Sequence, residues 1–287
     1  MDWAAEQGTW PLAEHSRFVE SRPHRWHVQD LGDGPVLLML PGTGGATQSF
    51  RHLAPALAER FRVVAVDYPG QGFTRPGTRL RCGLGHLAED IAALLDHMEI
   101  APDLILGHSA GAAVALQLLR TGAKAPVVGI NPALLPFEGS AGWLFPAVAK
   151  LLSLNPFVAG SFALASRLPG RVDFLLAATG STLDPAGTAL YRRLLGDPTH
   201  VDWTLEMMAQ WSLKGLEAAL PDITAPALFL VGETDRAVPP ESTRQAAVRM
   251  DNASVVEVPG AGHLLHETHG PFVAGAVMEF SAGLLAA

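Results

Sequence analysis

Residues 104–121 read LILGHSAGAAVALQLLRT, and the fold turns on this stretch. Leu104, Ile105 and Leu106 form a short, continuously apolar run, the pattern of a strand buried on both faces. Gly107-His108-Ser109-Ala110-Gly111 then matches G-x-S-x-G, whose glycines permit a tight strand-to-helix turn that lifts the serine into a strained, exposed position. From Ala110 to Thr121 the Ala/Leu-rich segment has helical character, with small residues where helix and sheet must approach closely. A serine that merely caps a helix would stand in the same place. The surroundings therefore have to decide between the two readings.

Outward from this turn, the same strand type recurs in VLLML (Val36 to Leu40), VVAVD (Val63 to Asp67), VVGIN (Val127 to Asn131), ALFLVG (Ala227 to Gly232) and SVVEVPG (Ser254 to Gly260). All read as strands buried on both faces of a parallel sheet. Between them lie amphipathic helical segments over Phe50 to Arg60, Leu84 to Met98, Pro240 to Met250 and Pro271 to Leu285. Ahead of them HSRFVESRPHRWHVQDLG alternates apolar and polar residues and breaks at Gly32-Asp33-Gly34, as a β-hairpin would. This order predicts an α/β fold, a mostly parallel, doubly wound sheet. The regular spacing fails once, between Asn131 and Ala227. That interval, rich in Pro, Trp, Phe and Met, predicts a helical cap inserted after the sixth strand, over 132–202, with 1–131 and 203–287 forming the core.

Hydrophobic residues make up 48% of the 287 and charged residues 17%, enough apolar material for a core and too much for disorder. A net charge of -8 with scattered Lys and Arg argues against a nucleic-acid partner. The opening MDWAAEQGTWPLAEHSRF carries acidic residues and neither a basic leader nor an apolar run, so no secretory signal is expected and a cytoplasmic location is. Cys82 is the only cysteine, which excludes an internal disulfide and any cysteine-based metal cluster. From Gly142 to Ala165 the only charge is Lys150, but Pro146 and Pro156 interrupt the run. Two short apolar helices over an apolar pocket are expected rather than a membrane span, with peripheral contact at the cytoplasmic membrane as the alternative.

A serine hydroxyl needs an adjacent base, and the base an orienting acid. Asp235 follows the strand ALFLVG and His263 follows SVVEV, so both are expected at the carboxyl ends of parallel strands, the edge where the serine turn lies. Ser109, Asp235 and His263 are the predicted catalytic set. Glu233 and Asp222 compete for the acid, and His266 and His269 for the base. The spacing of the three histidines in HLLHETH could suggest metal, but neither a cysteine nor a carboxylate cluster accompanies it. An oxyanion needs two backbone N–H donors. Ala110, just after the nucleophile, and Thr43, in the loop Pro41-Gly42-Thr43-Gly44-Gly45, are the expected pair. No Gly-Lys-Ser/Thr follows that loop, so it does not read as a phosphate site. No nicotinamide, flavin or metal site is expected.

The segments LMLPGTGGATQSFRHLAPALAERFRVVAVDYPGQGFT, GHSAGAAVALQLL, NPALLPF, VGETDRAVPP and PGAGHLLHE, with the cap stretch ending in MMAQW, resemble the α/β-hydrolase family. Within it they resemble the magnesium-chelatase accessory branch of phototrophic bacteria, and the likeness covers nearly the whole chain. SAGAA, NPALLPF and MMAQW carry the likeness to that branch, whereas the other motifs mark only the superfamily. The resemblance implies a role in bacteriochlorophyll synthesis around magnesium insertion into protoporphyrin IX, with a porphyrin and chelatase subunits as candidate partners. The chain departs from the superfamily at Pro41 and Gln71, where histidine is common.

Two functions follow as expectations. One is a serine hydrolase acting on an ester, amide or thioester of a bulky apolar molecule, held by Trp143, Phe145, Met207, Met208 and Trp211, with Phe157 and Phe162 nearby. The other is an accessory that binds a porphyrin or docks on the chelatase without catalysis. Dehalogenases and epoxide hydrolases place aspartate at the nucleophile, so with serine there the chain fits them less well. General esterases and cofactor-free haloperoxidases share the Ser-Asp-His set and remain open.

Overall fold

The computed structural model describes residues 1–136 and 155–285. Eight strands form one sheet: β1 (Ser16–Ser21), β2 (His24–Leu31), β3 (Val36–Leu40), β4 (Arg62–Val66), β5 (Leu104–His108), β6 (Val127–Ile130), β7 (Ala227–Gly232) and β8 (Ala253–Val258). Their spatial order is β1-β2-β4-β3-β5-β6-β7-β8. β1 pairs antiparallel with β2, and β2 with β4; every pairing from β4 to β8 is parallel.

The parallel strands from β3 to β7 are almost entirely apolar because alternate side chains feed two cores. Leu38, Leu40, Val64, Val66, Ile105 and Val127 pack on one side with the helices Leu84–His97 and Ala110–Arg120. Leu37, Met39, Val63, Leu104, Leu106 and Val128 pack on the other with Leu53–Leu57 and Gly270–Leu285. β8 departs from the sequence reading. Only Val258 in it is buried, because β8 is an edge strand with no neighbour beyond it. The hairpin reverses at Arg22-Pro23, and Gly32 and Gly34, both at positive φ, instead lead β2 into β3.

Between β6 and β7 the described chain is helical: Pro156–Ser166, Arg171–Ala178, Pro185–Leu195, Pro198–Gln210 and Lys214–Ala219. Three of these starts are legible as dipeptides. Asn155, Asp184 and Asp197 accept backbone N–H groups from Phe157, Gly187 and His200, each with proline as the first helical residue, where its missing N–H costs nothing. The expected cap boundary after Asp202 falls inside the continuous helix Pro198–Gln210, so the inserted helical segment runs on past it. Trp143 and Phe145 lie outside the described residues. Among those described, no helix is long and apolar enough to cross a membrane.

Candidate active site

Ser109 joins β5 to the helix Ala110–Arg120 with φ 53° and ψ -117°, a conformation that L-residues hold only when the surrounding structure enforces it. Three bonds fix it: Ser109 N–H donates to the Ile130 carbonyl of β6, and its own carbonyl accepts from Ala112 and Ala133. The flanking glycines are steric necessities. A Cβ on Gly111 would lie 2.2 Å from the Leu40 carbonyl oxygen. Helix and β3 could not approach as they do with any other residue there.

Asp235 follows β7 and is held from every side. Its Oδ1 accepts the Ala237 and Val238 N–H groups at 2.8 and 2.9 Å. Its Oδ2 accepts His263 Nδ1–H at 2.8 Å and the Asn131 side-chain amide at 2.5 Å. Burial by itself would raise this carboxyl, but the hydrogen bond and charge of His263, with Asn131 and the Val238 amide, outweigh burial and hold it below the usual carboxylate range. Asp235 is thus anionic, which makes Nδ1 of His263 the donor and leaves its Nε2 without the proton. The rival acids stand elsewhere: Glu233 accepts from Gly260 N–H, and Asp222 precedes β7 at the opposite end of the sheet. The three histidines of HLLHETH diverge. His266 is fully buried with its ring 4.2 Å from that of His108, and His269 bonds to Thr268.

The three carboxyl-end loops are tied to one another. His108 Nε2–H donates to the His263 carbonyl at 2.9 Å. Burial, reinforced by the nearby His263, pushes His108 down to about 3, so it stays neutral. The Thr179 carbonyl accepts from both Arg236 and His263 N–H, and Ser181 Oγ accepts from Leu264 N–H. The segment 179–181 between inserted helices thereby stitches the acid loop to the histidine loop.

The loop Pro41–Gly45 closes over the serine turn. A Cβ on Gly42 would sit 2.8 Å from His108 Nδ1 and 3.2 Å from Ser109 Cβ, so glycine is needed where the loop meets the serine turn. Pro41 has no N–H. Gly44 N–H donates to Gln71 Oε1 at 2.8 Å and Gly45 N–H to the Gly42 carbonyl at 3.0 Å. Among the described residues the N–H groups of Thr43 and Ala110 have no partner, which leaves both available to a bound oxygen. The Gly44 peptide is gripped on its other side too, since its carbonyl accepts His200 Nε2–H at 3.1 Å while His200 Nδ1 accepts Gly72 N–H. Burial pushes His200 down to about 4 against the opposing Gly44 bond, so the ring is neutral and serves as donor and acceptor at once.

Of the expected apolar contacts, Met207 is buried and reaches the site: its sulfur lies 3.2 Å from Gln71 Nε2 and 4.0 Å from Thr43 Oγ1. Met208 is half-buried on the same helix, and Trp211 packs against the core cluster beneath the sheet edge. Phe157 and Phe162 correct the expectation. They are exposed at 78% and 39%, while the small residues Ala159, Ala163 and Ser166 occupy the buried face of their helix. Gln71, Asn131, His108 and His200 are the site residues that motif reading undervalued. Asn131, at the carboxyl end of β6 with φ 46°, carried a positional signal; His200 carried none, since its contact spans 156 residues.

Against known proteins, the profile of the alpha/beta hydrolase fold family matches residues 35–270. The chain belongs to this family. It is 41% identical over 285 residues to the magnesium-chelatase 30 kDa subunit of Rhodobacter capsulatus, covering 99% of this chain and 100% of that one. It is 27% identical over 269 residues to a pimeloyl-[acyl-carrier protein] methyl ester esterase of Xanthomonas campestris, covering 90% of this chain and 99% of the other. Among solved structures, an alpha/beta hydrolase fold protein from Burkholderia ambifaria superposes with a TM-score of 0.73 at 25% identity, over 92% of this chain and all of that one. As an alpha/beta hydrolase the chain has the expected fold, with the serine turn, the acid loop and the histidine loop on one edge of the sheet.

Proposed function

We propose that the protein is a serine hydrolase that cleaves an ester, amide or thioester of a bulky apolar molecule. The observation that carries this reading is the strained Ser109 turn beside a His263–Asp235 pair whose carboxylate is locked by backbone and Asn131. Ser109 Oγ attacks the acyl carbon, and its proton passes to His263 Nε2. The carbonyl oxygen, now anionic, takes the N–H groups of Thr43 and Ala110. His263 then protonates the leaving group, and water, deprotonated by the same nitrogen, releases the acyl product and restores the serine. Asp235 orients the imidazole and stabilises its cation. Met207, with Trp211 on the same side of the core and Met208 next to it on the helix, supplies the apolar wall.

The 41% identity to a magnesium-chelatase subunit supports placing this activity in bacteriochlorophyll synthesis, at or beside the chelatase step, with a porphyrin-type molecule and chelatase subunits as partners. The test has two arms. A fluorophosphonate probe with an activated ester is expected to label Ser109 and no other residue; folded protein that neither reacts nor turns over ends the hydrolase reading. A strain carrying Ser109→Ala is expected to accumulate the same intermediate as a deletion strain. Normal pigment in the Ser109→Ala strain, with loss in the deletion, would instead establish a non-catalytic accessory.

A further inference from the structure

Two inserted helices turn large apolar side chains outward. In Pro156–Ser166 the buried positions are Ala159, Ala163 and Ser166, while Phe157 and Leu164, half a turn away, are 78% and 67% exposed. Leu168, just beyond the helix end, continues the same line at 53%. In Arg171–Ala178 the buried Val172 and Leu176 share one face and Phe174, opposite them, is 69% exposed. An ordinary amphipathic helix buries its large apolar side chains and exposes small or polar ones. A cluster of outward Phe and Leu on adjacent helices marks a surface that meets something apolar.

The charges on this face specify what. Arg167 and Arg171 are exposed and have no carboxylate partner among the described residues, and the one acid of the segment, Asp173, is paired with Arg192 at 3.6 Å. The face is therefore locally cationic on a chain of net charge -8. A second copy would bring arginine against arginine. The hot spots of protein interfaces centre on Trp and Tyr with Arg, and of the three only Arg stands in this patch. Phe and Leu flanked by Arg is the chemistry of a helix lying in the headgroup region of an anionic bilayer, and helices of 11 and 8 residues are too short to do more than lie there. We propose that Phe157, Leu164, Leu168 and Phe174, with Arg167 and Arg171, dock the protein on an anionic lipid surface. The helix Arg171–Ala178 leads directly into Thr179, whose carbonyl holds the Arg236 and His263 backbones, so the docking face is joined to the candidate site through a single residue. The proposal stands whether or not Ser109 proves catalytic.

Flotation of the full chain with vesicles of phosphatidylcholine alone, or with a quarter phosphatidylglycerol, tests it. Wild type should float with the anionic vesicles and release at high salt. Leu164→Ser with Phe174→Ser should weaken binding at least about tenfold, and Arg167→Glu with Arg171→Glu should remove the preference for anionic lipid, at about fivefold or more per arginine. Near-ultraviolet circular dichroism and melting should match wild type in both variants, as expected for exposed side chains. Wild type that ignores both vesicle types, or folded variants that bind as wild type does, overturns the proposal. A dimer seen by light scattering that dissociates on Phe174→Ser overturns it in favour of self-association, and loss of chelatase-subunit binding without any vesicle binding overturns it in favour of a protein partner.

Discussion

Among the described residues, Ser16 with His27 and Asp67 and Ser109 with His263 and Asp235 make two Ser-His-Asp groupings, and they are not equivalent. In the amino-terminal hairpin His27 Nδ1–H donates to Asp67 Oδ2 at 2.7 Å and the Ser16 hydroxyl lies 3.0 Å from His27 Nε2. At the sheet edge His263 makes the corresponding bond to Asp235 at 2.8 Å. The difference lies in what surrounds the serine. Ser16 sits on an extended strand and also receives the Gln29 amide; His27 is wholly enclosed by Trp3, Phe18 and Phe73. Asp67 spends its remaining capacity on Thr47 and Phe73 N–H. Ser109 instead stands on a strained turn beside two N–H groups with no partner among the described residues. A histidine is thus bonded to a carboxylate in both places, and Ser16 is bonded to its histidine; what sets Ser109 apart is its strained turn and the vacant donors beside it.

The sharpest way to break this contrast is at the serines. Ser109→Ala should lower ester turnover about 10⁴-fold or more and abolish fluorophosphonate labelling, whereas labelling that moves to or persists at Ser16 would sink the distinction. Next, Asp67→Ala should destabilise the fold by about 3–5 kcal/mol, measured by urea unfolding, because it strands His27 and two backbone donors in the core. A loss under 1 kcal/mol would mean the hairpin unit is not structural, a threshold set by the net worth of about one hydrogen bond.

Gln71→Ala should reduce kcat about ten- to a hundredfold with little change in KM, since it frees the Gly44 peptide without removing an oxyanion donor. An effect confined to KM would place Gln71 in substrate binding instead. The pH dependence sharpens the comparison in another way. His108, His200 and His266 are neutral when folded, with values pushed down to about 3, about 4 and well below 6.5 by burial. Because each unfolded imidazole takes a proton below about 6.5, stability should be full above that pH and fall between about 6.5 and 4, by about 1.4 kcal/mol per pH unit for each ring. In His200→Gln the slope of unfolding free energy against pH should drop by one such increment; an unchanged slope would contradict the assignment. Smallest of all, Ser16→Ala should cost about 1 kcal/mol of stability and leave turnover untouched.

Much of the site was legible in one dimension. G-x-S-x-G after an apolar strand, with Asp235 and His263 each just past a later strand, fixes three side chains on one sheet edge. Parallel strands end there in common, and local residues encode strand, turn and helix. Three N-cap and proline pairs likewise announce their helices. The edge position of β8 was not legible, since an apolar run looks alike whether or not a neighbour covers it. Nor was the outward turn of Phe157 and Phe162, which depends on which helical face meets the core.

The sequence by itself determined the order of strands and helices, the strained serine and the candidate acid and base, because these rest on the conformational preferences of neighbouring residues. Only the tertiary structure decided which serine lies beside N–H groups with no partner among the described residues, that Gln71 and His200 hold Gly44, and that apolar side chains of the insertion face outward. Such contacts join residues far apart in the chain. They exist only once the inserted helices have packed on the sheet edge, where accessibility and free hydrogen-bond donors are settled.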